Sequence, residues 1–126
     1  MGENYIGGQW REGFGGETFP SVNPADSSHV LGTFPRSSSS DVEEAVGAAR
    51  GAFPRWRSLS RIRRGEYMDA FAQLVKRDSE ELARLVAQEC GKALNEARAD
   101  VIEGLHMVQF QFGRTRMPYG EVVASE

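Results

Sequence analysis

Apolar residues at Ala97, Val101, Leu105, Val108 and Phe112 step by four, four, three and four along the chain. That step is a helical stripe and not the alternation of a strand. It predicts a helix from Asn95, whose side chain can cap the first turn, to Met117, where Pro118 stops it. Gly113 inside the pattern costs roughly 1 kcal/mol relative to alanine and marks either a close backbone approach or a tolerated position. Three further stripes precede it. Val42, Ala45, Val46, Ala49 and Phe53 predict a helix opened by a Ser40-Asp41-Val42-Glu43 capping box and ended by Pro54. Ile62, Gly65, Met68, Ala72 and Val75 share a face of a second helix within 56–77, with Phe71 and Leu74 beside it and Ser58 or Ser60 as cap. Leu82, Leu85 and Val86 lie on one side of a third, capped by Asp78 and closed by Gly91 as a left-handed C-cap.

Ahead of the helices the pattern shortens to that of strands. Tyr5-Ile6 and Gln9-Trp10 flank Gly7-Gly8, a pair suited to a tight hairpin turn. Thr18 to Val22 is β-prone with Pro20 inside, which marks an edge strand. Asn23-Pro24-Ala25-Asp26 is a turn, and Val30 to Phe34 is the next strand. The chain therefore divides into a β-hairpin region over 1–36, a helical region over 37–117 and the start of a strand over 118–126. Its class is α+β, with short strands and hairpins followed by about four helices.

The sequence has 126 residues, enough for one domain. It is 40% hydrophobic and 26% charged, an ordinary globular composition, and its net charge of −3 gives no general pull toward nucleic acid or an anionic membrane. No run approaches the roughly 20 apolar residues that span a bilayer. The opening MGENYIGGQW has no basic segment followed by an apolar one, and the single cysteine fits a reducing compartment, so a cytoplasmic location is expected.

Few residues suggest chemistry on their own. Cys90, the single thiol, falls near a helix C-terminus, where carbonyl dipoles oppose a thiolate, although Lys92 is close in sequence; a structural role is expected. His29 and His106 have no cysteine or histidine partner at metal-ligand spacing, and no metal site is expected. Gly13-x-Gly15-Gly16 neither follows a buried strand nor opens a helix and is not a phosphate loop. Glu96, Asp100 and Glu103 share a helix face as paired carboxylates, most simply read as surface charge. Six arginines within fifteen residues, Arg50, Arg55, Arg57, Arg61, Arg63 and Arg64, lie among Phe53 and Trp56. Such a patch can hold a phosphate backbone, but the negative net charge favours a solvated or oligomer-facing surface.

Several short motifs together carry a resemblance. Glu89-Cys90-Gly91-Lys92, Glu96-Ala97-Arg98-Ala99-Asp100-Val101, Phe112-Gly113-Arg114 and Tyr119-Gly120-Glu121 follow Tyr5-Ile6-x-Gly8-x-Trp10 and Val22-Asn23-Pro24-Ala25. In order and spacing they resemble the N-terminal part of the aldehyde dehydrogenase superfamily, over nearly the whole chain. The resemblance implies an α/β family fold, of which 1–126 is the leading portion of the NAD(P)-binding domain. It implies an intact enzyme that oxidises an aldehyde, with semialdehydes included, to a carboxylic acid through a cysteine thioester, using NAD or NADP. The family's nucleophile, base and cofactor lysine belong to downstream motifs, so no catalytic or cofactor-binding residue maps onto 1–126, and this portion alone is expected to be inactive and to bind no cofactor. In the family the helix matching 95–117 borders the aldehyde entry tunnel, which makes Ala99, Glu103 and His106 candidates to line it. Relatives acting on amino-acid-derived semialdehydes carry glutamate at the place of Glu103, where an anion can hold a substrate amine. Homo-oligomerisation is expected through the last helix and the free segment at Val122-Val123. Two readings of other classes stand beside this one: a stand-alone helical interaction module, and an arginine-patch binder of nucleic acid.

Overall fold

The Gly7-Gly8 pair turns back the first hairpin, both glycines taking the left-handed conformation with φ of 61° and 84°. In the computed structural model, which describes residues 2–121 and 123–125, this turn joins β1 (Asn4–Ile6) to β2 (Gln9–Arg11), with Tyr5 opposite Trp10 and their ring centroids 4.9 Å apart. A second antiparallel hairpin pairs β3 (Thr18–Asn23) with β4 (Asp26–Pro35). Asn23 makes the turn between them by accepting a hydrogen bond from the Ala25 N–H at 2.9 Å. β4 starts four residues earlier than the Val30 expected from sequence, because the tight turn lets pairing begin at Asp26 itself.

The helices follow as α1 (Ser39–Ser58), α2 (Arg61–Arg77), α3 (Ser79–Cys90) and α4 (Leu94–Arg114). The class expected from sequence is the one observed. α1 opens on a capping box, but on Ser38 rather than Ser40. The Asp41 carboxylate accepts from the Ser38 N–H at 2.7 Å and the Ser38 hydroxyl at 2.8 Å, and reaches across to the Phe14 N–H at 3.1 Å. Ser40 cannot recruit that third donor, and this long-range contact sets the start of the helix. The helix also runs through Pro54 to Ser58 instead of ending there. Proline removes one hydrogen bond, but the last turn is closed by the Ser58 hydroxyl on the Arg55 carbonyl at 2.8 Å and by Trp56 against Tyr67 at 5.7 Å.

The hydrogen bonds from Ser38 and Phe14 hold the Asp41 carboxyl below its usual pKa, Ser38 contributing most. A lowered carboxylate stabilises the fold fully above the ordinary value near 4 and loses that contribution as pH falls through the folded value. The Phe14 amide resonance should therefore titrate in that acid range, and Asp41→Asn should abolish the titration. An unchanged acid limb in the variant would remove Asp41 from this role.

α2 is capped as expected by Ser60, whose oxygen accepts from the Arg63 N–H at 3.1 Å. Asp78 occupies the cap position of α3 without a side-chain cap, because its carboxylate is taken by Arg77 at 2.7 Å. Gly91 closes α3 at φ 64°, as expected. α4 begins at Leu94 with Ala93 as cap and not Asn95: the Ala93 carbonyl accepts from both Glu96 and Ala97 at 3.1 Å, which leaves Asn95 already inside the first turn.

α2 and α3 pack on α4, and the residues buried among these helices are small: Ala72, Ala83 and Ala97, with Gly65 and Thr115 between α2 and the end of α4; Ile6 of β1 is the other buried apolar residue among those described. Among the described residues no large side chain is fully buried. The α4 stripe read from sequence is the packed one, with Ala97 buried and Val101, Leu105, Val108 and Phe112 half-buried. In α3 the packed face is Leu82, Ala83, Val86 and Ala87, and Leu85 is exposed, against expectation; alanines let α3 and α4 approach where leucine would hold them apart. The expected strand over 118–126 is not formed at 118–121 or 123–125, and Val122 and Glu126 lie outside the described residues.

Candidate functional site

Ala99, Glu103 and His106 stand four and three residues apart on α4, so they share one helix face. All three are exposed, on the side opposite the packed stripe. Ile102, Met107 and Phe110 are also about half exposed on this outer side, so the surface mixes apolar area with one carboxylate and one imidazole. Glu103 makes no ion pair with another described residue. The neighbouring Asp100 is engaged by Lys92 at 2.5 Å, which raises the Lys92 pKa chiefly through that hydrogen bond. These two carboxylates therefore divide: Asp100 is tied to the α3–α4 link, and Glu103 faces solvent.

Cys90 is exposed and is the last residue of α3. The Lys92 ammonium, the cation near it in sequence, donates to Asp100. No group of His, Cys, Asp and Glu among the described residues is arranged to hold a metal ion.

The arginine run resolves into separate jobs. Arg61 donates to the Met117 carbonyl at 2.8 Å and lies 4.9 Å from the centre of the Tyr119 ring. Arg64 donates to the Leu59 carbonyl at 2.8 Å, and Arg63 pairs with Glu66 at 2.5 Å. Arg61 and Arg64 fasten the chain around α2, Arg63 pairs at the surface within α2 itself, and Arg50, Arg55 and Arg57 are exposed on α1. The anchoring contacts of Arg61 and Arg64 are not legible from spacing, because the accepting carbonyls of Met117 and Leu59 lie outside the helices. Arg61 and Arg64 also border an open cleft of about 300 Å³ with Trp56, Gln111 and Tyr119.

A larger hollow, about 510 Å³, lies between the first hairpin and α1 and is lined by Tyr5, Gly8, Ala45, Ala48 and Ala52. It offers apolar area and no converging polar groups. A dinucleotide cradle needs a strand that leads through a glycine-rich turn into a helix N-terminus. Both sheets here are antiparallel hairpins, and the loop into α1 carries serines held by Asp41. The described residues do not fit a nicotinamide cofactor by themselves. No described helix is long and apolar enough to cross a membrane.

The family model described as "Aldehyde dehydrogenase family" matches residues 10–126. Malonate-semialdehyde dehydrogenase 1 of Geobacillus kaustophilus (strain HTA426) is 40% identical over 123 residues, 98% of this chain and 25% of that protein. Among solved structures, the aldehyde dehydrogenase KauB from Pseudomonas aeruginosa matches with a TM-score of 0.90 and 29% identity, covering 100% of this chain and 26% of that one. An NAD-dependent aldehyde dehydrogenase from Sinorhizobium meliloti matches with a TM-score of 0.85 and 31% identity, covering 92% and 24%. The chain thus spans about a quarter of the length of the relatives it matches.

Proposed function

The chain belongs to the aldehyde dehydrogenase family, and from that premise we propose that it is the leading portion of the NAD(P)-binding domain of an enzyme that oxidises an aldehyde to a carboxylic acid in the cytoplasm. The observation that carries this reading is the agreement of the family match with the fold, two hairpins followed by four helices in the order the relatives share. Catalytic residues and the cofactor cradle then belong to the remaining three quarters of the enzyme. A chimera supplies the test. Residues 1–126 should replace the corresponding segment of the Geobacillus malonate-semialdehyde dehydrogenase and retain NAD-dependent turnover of its semialdehyde. A folded chimera without turnover would overturn the reading.

Within that enzyme Ala99, Glu103 and His106 line the approach of the aldehyde. Their support is that they share the outer face of α4 and are exposed together. Glu103 sets the charge preference there. Toward an amine-bearing semialdehyde it offers a charge-assisted hydrogen bond, worth on the order of 1–3 kcal/mol. Glu103→Gln in the chimera should accordingly raise KM for such substrates and leave simple aliphatic aldehydes nearly unchanged. The relative named for malonate semialdehyde favours a second reading, in which the substrate is itself acidic. A carboxylate at Glu103 would then repel it, and the same variant should lower its KM. Equal effects on all three substrate types would remove Glu103 from the approach.

A further inference from the structure

We draw no further inference here: the strongest candidate, the open cleft of about 300 Å³ between α2 and the end of α4 that Arg61 and Arg64 border with Trp56 and Tyr119, carries nothing, because the chain spans about a quarter of the length of the relatives it matches and nothing in the structure shows what covers the cleft.

Discussion

Gly91→Ala is expected to destabilise the fold by roughly 3 kcal/mol, the sum of two costs. At φ 64° a side chain forced into the left-handed region costs roughly 1–2 kcal/mol. The added methyl would also lie 2.8 Å from the backbone nitrogen of Ala25 and 3.2 Å from Pro24 Cβ. Ala25 N is main chain in the turn between β3 and β4, so it cannot yield by a rotamer change. The hairpin must move as a body, and such overpacking typically adds 1–3 kcal/mol. The damage should be local to that joint. The Ser21 hydroxyl would lose its 3.3 Å hydrogen bond to Glu89, and amide shifts should gather in residues 18–35 and 87–94. Urea unfolding gives the magnitude and heteronuclear NMR the location. A loss below about 0.5 kcal/mol would mean that the hairpin is not seated on α3.

Gly65→Ala is the second large effect, and it differs in being repairable. A Cβ at residue 65 would meet Thr115 Cγ2 at 2.6 Å and Oγ1 at 2.8 Å. Thr115 is held in place by its own hydroxyl, which donates to the Phe112 carbonyl at 2.7 Å as α4 ends. Its branched side chain has few rotamers to retreat into. Forcing α2 from α4 here should cost roughly 1–3 kcal/mol. Thr115→Ala removes the clashing atoms at a smaller cost of its own. The double variant should therefore be more stable than Gly65→Ala alone, with a coupling of roughly 1 kcal/mol or more in a double-mutant cycle. Additive losses would show that the two residues do not press on each other.

These two glycines also show what could be read beforehand. Gly91 was legible because its reason is local: a stripe ends, and a left-handed residue follows. The Gly7-Gly8 turn and the α4 stripe were legible in the same way. Gly65 was not. The helical pattern marked Gly113 as either a close approach or a tolerated position, and no described residue lies within 4 Å of a methyl built there, so the second reading holds. Which glycine admits a neighbour depends on how two helices cross, and no periodicity records that. The start of α1 failed for a related reason. Ser37 to Ser40 offer equivalent caps, and the choice falls to Asp41 and a donor 27 residues away at Phe14. In the candidate site, spacing placed Ala99, Glu103 and His106 on one face, whereas what covers that face is a long-range matter.

The alanine-built core carries a thermal consequence. The heat capacity of unfolding follows the apolar area newly wetted, at about 0.45 cal/mol/K per Å². Here the large apolar side chains, from Tyr5 and Trp10 through Phe53 and Phe71 to Phe110, are wet before unfolding begins, and Ala72, Ala83 and Ala97 bring little area when they open. The heat-capacity increment of the isolated monomer falls well below the roughly 12–15 cal/mol/K per residue of ordinary domains. Its stability curve is correspondingly flat. Its melting is broad, and cooling weakens the monomer far less than it weakens a protein held together by buried leucine and phenylalanine.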